Sequence, residues 1–387
     1  MKTFSDIGVN EEIVRILEGI GFKYPTPIQE EAIPLVLEGK DIIGQAETGS
    51  GKTAACGIPI VQMIDKSLDA PQAIVLTPTR ELAIQYLEEI SSIGTPYGVK
   101  PFVIYGGFDM DIQMTKLKDG VHVIVATPGR LADIIYNQQF PLSHIKTFVI
   151  DEADEMLKMG FIEDVSFIKK CVVREHQTLL FSATMPGPIK KLAGNYMKDA
   201  VHIRLNKERI QPDKLTHSVI RVHQSGKEKA LKEFLQKEEI SQAIIFCNTR
   251  RRVEQLYKKI KGSVSNAEYI HGGLPQGKRT SLMGRFRKRK IRFMVTTDVM
   301  ARGMDISGVS HIINYDVTKN PEIYIHRSGR TARMGREGVS VSFVSSREEE
   351  NYEEIKKRSD LNPDRKKHSR YSKRSFPGKK RGFRRKS

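Results

Sequence analysis

Two short stretches carry residues that could do chemistry together. The first, AETGSGKT at 46–53, places Gly49 and Gly51 where a chain must curl tightly, then Lys52 and Thr53. Glycines let backbone N–H groups converge on phosphate oxygens, and a helix that starts there adds its positive end. Lys52 is then suited to neutralise the β- and γ-phosphates of a nucleotide, and the Thr53 hydroxyl to ligate Mg2+. Ala46 stands where the general phosphate-loop pattern has glycine, a departure of one methyl group. The second stretch, TFVIDEADEML at 147–157, runs apolar residues straight into Asp151, Glu152, Asp154 and Glu155. Carboxylates crowded this way repel one another and call for a cation. At the end of a buried strand, Asp151 can hold Mg2+ through water, while Glu152 can orient or deprotonate an attacking water. Glu155 reads as a first-turn helix charge favoured by the helix dipole.

Such residues need elements to hold them. Short β-branched runs recur, each followed by a turn and a helical pattern: DIIGQ, AIVLTP, PFVIYGG, VHVIVATP, TFVID and TLLFSAT. After Leu205 the pattern restarts with HSVIRV, QAIIFCN, AEYIHGG, RFMVTTD, HIINYDV and VSVSFV. Continuous apolar strands alternating with helices such as KEKALKEFLQKE predict buried parallel strands with crossover helices. Two sets predict two doubly wound α/β domains, at 1–205 and 216–360. The polar stretch 206–215, with Pro212, is the expected linker. A length of 387 residues already argues against one ordinary core.

The charge is lopsided, with 64 Lys plus Arg against 46 Asp plus Glu, net +18. That balance favours a polyanionic partner, nucleic acid ahead of membrane. Residues 361–387 hold twelve Lys or Arg against one acid, Asp364, interleaved with Tyr371, Phe376 and Phe383. With little aliphatic content they predict a disordered basic tail, suited to tethering nucleic acid by phosphate contact and base stacking. Cys56, Cys171 and Cys247 lie far apart without metal-ligand spacing. Neither a disulfide framework nor a structural metal is expected, and a reducing cytoplasmic setting is. No run approaches membrane-spanning length.

AETGSGKT and DEAD together resemble the nucleotide motifs of the DEAD-box ATP-dependent RNA helicases, of superfamily 2. The rest of that family's set follows in order: GFKYPTPIQ at 21–29, PTREL at 78–82, GG at 106–107, TPGR at 127–130 and SAT at 182–184. The second half adds IIFCNTR at 244–250, QGKR at 276–279, TTDVMARGMD at 296–305 and HRSGRTAR at 326–333. The resemblance covers residues 1–348 and leaves the tail outside. It implies two tandem RecA-like domains with a cleft between them, a monomeric core, and ATP with Mg2+ as cofactors.

The resemblance also implies roles residue by residue. Gln29 would read the adenine edge and Phe4 would stack on the base, while Ala46, Glu47, Thr48, Gly49, Ser50, Gly51, Lys52 and Thr53 would wrap the phosphates. Asp305 would contact the ribose, and Arg330 and Arg333 would serve as arginine fingers toward the γ-phosphate. Ser328 and Ala332 replace the family's usual Ile and Gly in that motif. Asp154, Ser182, Thr184 and His326 would couple the nucleotide to RNA. Arg80, Gly106, Gly107, Thr127, Gly129 and Arg130 would grip the RNA backbone from the first domain; Thr249, Arg250, Gln276, Arg279 and Thr297 would do so from the second. Backbone grip predicts single-stranded or short duplex RNA with little sequence preference. The expected activity is RNA-stimulated ATP hydrolysis with local, non-processive unwinding or remodelling. An ATP-gated RNA clamp or chaperone uses the same residues and stays open as an alternative. A DNA translocase is disfavoured by GFKYPTPIQ, DEAD and SAT.

Overall fold

The computed structural model describes residues 2–46, 50–138, 140–204, 215–298, 309–332 and 337–358. The chain divides into two compact units, each built on one parallel sheet. The first sheet holds β1 (Ile42–Gln45), β2 (Ala73–Leu76), β3 (Pro101–Ile104), β4 (Val123–Ala126), β5 (Thr147–Ile150), β6 (Gln177–Ser182) and β7 (Val201–Arg204). Their spatial order is β3-β4-β2-β5-β6-β1-β7. The second holds β8 (Leu215–Arg221), β9 (Ala243–Phe246), β10 (Ala267–Ile270), β11 (Phe293–Thr296), β12 (His311–Asn314) and β13 (Gly338–Val344), ordered β10-β11-β9-β12-β13-β8. Counted within each unit, both run third, fourth, second, fifth, sixth, first. The two units share one topology.

Burial on both faces explains the unbroken apolar runs. In β2, Ala73 and Val75 join one apolar cluster while Ile74 and Leu76 join the opposite one. The second unit repeats this with Ala243, Ile245, Phe293, Val295 and Phe343 in its core. The sequence reading missed β7, which pairs with β1 at the sheet edge. Only Ile203 of its four residues is buried, and His202 and Arg204 are exposed, so it shows no apolar run. Leu215, placed in the expected linker, opens β8; residues 205–214 and the basic tail lie outside the described residues.

The order of the first sheet sorts the motifs. β5, β6 and β1 are neighbours, so AETGSGKT, DEAD and SAT leave the same carboxyl edge side by side. β3, β4 and β2 are neighbours too, and they lead into GG, TPGR and PTREL. Ligands of open parallel sheets bind along this edge.

The second unit places Lys227 after β8 at the start of the helix Lys227–Lys237, the topological position of Lys52 after β1. Lys227 is fully buried, and its ammonium donates to both carboxylate oxygens of Glu348, at 2.9 and 2.7 Å. An anion of the chain itself meets this lysine.

A polar network also runs through that unit's core. Ser342 Oγ donates to the Tyr324 hydroxyl at 3.4 Å, and that hydroxyl lies 3.1 Å from His217 Nδ1. Burial pushes the His217 imidazole down to about 4, from 6.5. A base whose folded pKa is depressed binds fewer protons folded than unfolded, so stability falls as pH drops below 6.5 toward 4. Chemical denaturation should show a loss of about 3 kcal/mol across that window. The His217→Asn protein should lack most of that slope; an equal slope would assign the acid sensitivity elsewhere.

Candidate functional site

Ser50 and Gly51 are held by the segment that precedes β1. Gln29 sits in the first turn of the helix Pro27–Leu37, where its Oε1 accepts from the Thr26 N–H at 2.9 Å. Its Nε2 donates to the Gly51 carbonyl at 3.1 Å, and Thr26 Oγ1 donates to the Ser50 carbonyl at 2.9 Å. Gly51 adopts φ +99°, and a Cβ there would come within 2.6 Å of Gln29 Nε2, so only glycine fits. Gln29 is 2% exposed, so its amide is fixed between Thr26 and Gly51. Phe4 is 2% exposed in the core, its ring 6.3 Å from that of Phe22. Glu47, Thr48 and Gly49 lie outside the described residues.

Lys52 opens the helix Lys52–Met63 and is 5% exposed. Its Nζ donates to the Ala46 carbonyl at 2.9 Å and stands 4.0 Å from Asp151 Oδ1. Asp151 follows β5 and is 3% exposed. Its Oδ1 accepts the Glu152 N–H at 2.8 Å, and its Oδ2 accepts the Tyr86 hydroxyl at 2.6 Å. Burial and the nearby Asp151 push the Tyr86 phenol well up, so it stays protonated and donates. The Cys56 thiol, also pushed up by burial and Asp151, lies 3.8 Å from the same phenol oxygen. Sequence reasoning missed Tyr86. It lies on the buried stripe Leu82, Ala83, Tyr86, Ile90, Ile93 of its helix and reads as core. A hydroxyl on such a stripe needs a partner, and that is the available signal.

Glu152 is 7% exposed and holds φ +53°, a left-handed backbone at the cap of the helix Ala153–Lys158. That conformation costs about 1–2 kcal/mol for a residue other than glycine and turns the chain sharply from the strand into the helix. Asp154 accepts both the Thr184 N–H, at 3.2 Å, and the Thr184 hydroxyl, at 2.9 Å. Ser182 Oγ accepts the Asp154 N–H at 3.2 Å and donates to the Thr184 carbonyl at 2.7 Å. The acidic strand end and the SAT turn are thus one bonded unit. Glu155 lies in the first helical turn as expected, yet it is 3% exposed and pairs with Lys158 at 2.9 Å.

Along the other half of the edge, the Arg80 guanidinium covers Gly107, which has φ +82°; a Cβ there would sit 2.8 Å from Arg80 Nη1. Arg130 Nη1 donates to the Phe108 carbonyl at 3.1 Å, next to the same glycine pair. Thr127 is buried at the end of β4, and Gly129 follows in the helix Pro128–Gln138. The second unit repeats the device. Thr249 caps the helix Arg250–Ile260 by accepting the Arg252 N–H, and the Arg250 guanidinium lies against Gly272. The pair Gly272–Gly273 is absent from the expected site residues; the duplicated topology is what identifies it. Gln276 opens the helix Gln276–Arg287 and accepts from Arg279, while Thr297 is buried after β11.

The arginine motif divides into different environments. Arg327 is 2% exposed, and its guanidinium meets Asp298 Oδ2 at 2.8 Å, Asn248 Oδ1 at 3.0 Å and the Asp316 carbonyl at 2.8 Å. It braces the ends of three strands. Arg330 is 3% exposed beyond the helix Pro321–Ser328, which also carries His326. Ala332, at the family's glycine position, has φ +57°, a left-handed backbone that glycine adopts without strain. Ser328 fills its own position by bonding Ser340 Oγ at 3.0 Å. Asp305 and Arg333 lie outside the described residues.

Residues 26–192 match the DEAD/DEAH box helicase family and residues 226–335 match the helicase conserved C-terminal domain. The chain belongs to the DEAD-box ATP-dependent RNA helicase family. It is 45% identical over 348 residues to the ATP-dependent RNA helicase CshA of Listeria monocytogenes, covering 90% of this chain and 67% of that protein. It is 46% identical to CshA of Geobacillus kaustophilus, covering 74% of that protein. Among solved structures, S. cerevisiae Dbp5 bound to RNA and ADP BeF3 is similar with TM-score 0.84 and 32% identity, over 93% of this chain and 94% of that one. The two sheets are therefore the tandem RecA-like domains of a DEAD-box helicase.

The family implies ATP and Mg2+, and the residues present fit both. Thr53 and Asp151 offer the hard oxygen donors that magnesium requires, with the buried Lys52 ammonium beside them. Magnesium would supply charge neutralisation on the phosphates at Thr53 and Asp151. Among the described residues no helix is long and apolar enough to cross a membrane.

Proposed function

We propose that this chain hydrolyses ATP when RNA is bound, and uses the cycle to open short RNA duplexes locally or to remodel RNA–protein complexes. The observation that carries this reading is the shared sheet edge. Lys52, Asp151 and the Asp154–Thr184 unit stand on β1, β5 and β6, and Arg80 over Gly107 stands on the adjoining half. Lys52 binds phosphate, Thr53 and Asp151 would hold Mg2+, and Glu152 takes the proton of the attacking water. Gln29 and Phe4 favour adenine, Asp305 the ribose, and Arg330 and Arg333 stabilise charge on the γ-phosphate in the transition state. Asp154, Ser182, Thr184 and His326 couple hydrolysis to RNA.

RNA is held through its phosphates and 2′-hydroxyls by Arg80, Gly106, Gly107, Thr127, Gly129, Arg130, Thr249, Arg250, Gln276, Arg279 and Thr297. Contacts of this kind go to the backbone and not to base edges, so the core has little sequence preference. When RNA and ATP both stabilise one productive state, each raises the affinity for the other. We place this work in the cytoplasm, carried out by a monomeric core. The relatives' names, and the RNA bound to S. cerevisiae Dbp5, support RNA as the substrate.

A strand-displacement assay tests the reading. ATP should release a strand from a short RNA duplex and leave a long one paired. Lengthened RNA residence in a non-hydrolysable ATP analogue, without displaced strand, would favour a clamp instead. The tail is proposed as an RNA tether. If about half its cations meet phosphates, truncation after Ser359 should flatten the log-affinity against log-salt slope by roughly 4. An unchanged slope would refute the tether.

A further inference from the structure

We propose that Tyr86 is a positioning residue for Asp151, its phenol fixing which face of the carboxylate is offered to nucleotide-bound magnesium; this rests on the ATPase reading above. Tyr86 is fully buried, and its hydroxyl donates to Asp151 Oδ2 at 2.6 Å. The other oxygen, Oδ1, accepts the Glu152 N–H at 2.8 Å and lies 4.0 Å from Lys52 Nζ. A carboxylate has about four lone-pair positions. The phenol and the amide take one on each oxygen, and these two donors set the rotation of the group. That rotation matters because the terminal torsion of an aspartate is broad and soft when nothing holds it.

The packing does not ask for a hydroxyl. Tyr86 shares its helix face with Leu82, Ala83, Ile90 and Ile93, where a phenylalanine ring would bury the same apolar surface. A buried hydroxyl in such a place costs stability unless it is bonded, and its acceptor here is Asp151, the carboxylate proposed above to hold magnesium. Behind it, the fully buried Cys56 lies on the helix that Lys52 opens, its Sγ 3.8 Å from the phenol oxygen and 3.3 Å from the Thr53 carbonyl. The phenol thus ties the helix of the PTREL motif to the metal-facing carboxylate. Partners of this kind typically contribute tenfold to a hundredfold in metal affinity or activity.

The test is equilibrium binding of a fluorescent ADP to the full chain, in EDTA and in Mg2+. Affinity in EDTA should agree within twofold between wild type and Tyr86→Phe. The gain on adding Mg2+ should shrink tenfold or more in Tyr86→Phe, with a matching rise in the Mg2+ concentration needed. Cys56→Ala should keep the wild-type gain within threefold, since a thiol at that distance is a weak donor. An unchanged Mg2+ gain in Tyr86→Phe overturns the proposal alone. A Cys56→Ala loss as large as that of Tyr86→Phe also overturns it, by assigning the effect to packing. Absence of ADP binding by wild type would sink the nucleotide reading and this proposal together.

Discussion

The Glu152→Gln protein will bind ATP and RNA as wild type does, yet turn over about 10²–10⁴ times more slowly. Glutamine keeps the size and hydrogen-bonding reach of the side chain and removes only its basicity. The surroundings make this a clean substitution. The Glu152 N–H donates to Asp151 Oδ1 at 2.8 Å whatever the side chain, and the left-handed backbone at φ +53° does not depend on a carboxylate. Single-turnover hydrolysis by rapid quench, alongside equilibrium binding of a fluorescent ATP analogue, separates the two effects. RNA-stimulated turnover at the wild-type rate would remove Glu152 from the chemistry.

Lys52→Ala will act earlier and abolish measurable nucleotide binding. Two charge-assisted contacts to phosphate at about 1.5–3 kcal/mol each amount to a loss of roughly 10²–10⁴-fold in affinity. The fold should survive the change. Asp151 keeps the Tyr86 hydroxyl and the Glu152 N–H when the ammonium at 4.0 Å is gone, and alanine favours the first turn of the helix Lys52–Met63. Titration calorimetry with ATP and Mg2+, with a melting curve to establish folding, is the measurement. Wild-type affinity in a folded Lys52→Ala protein would show that the nucleotide is held elsewhere.

The two proteins fail at different steps, which is the reason to make both. One retains ATP without consuming it, and the other never holds it. A protein whose carboxylate and lysine merely stabilised a strand end would show neither pattern.

Much of this architecture is legible in the sequence because buried parallel strands leave continuous apolar runs, and both sheets lie where those runs fall. The edge strand β7 is not, since His202 and Arg204 face solvent and break the run. Asp154, Ser182 and Thr184 are separated along the chain, but their motifs close two strands that the topology makes neighbours, so their contact follows once the sheet order is known. Other parts are hidden for a physical reason. Arg327 and Arg330 look alike at a spacing of three, and nothing local announces that Arg327 is locked to Asp298, Asn248 and Asp316. Lys227 reads as one more charge on a polar helix, although it is fully buried against Glu348. Tyr86 reads as core because it is core; only its oxygen has a second task. Side chains that brace a site from the apolar side of an element carry little pattern of their own.

The most direct test of the central claim is steady-state ATP hydrolysis by the full chain with single-stranded RNA, with single-stranded DNA of the same sequence, and with neither. The account predicts slow hydrolysis alone, strong stimulation by RNA of unrelated sequences, and little stimulation by DNA. Equal stimulation by DNA, or none by either, would contradict it.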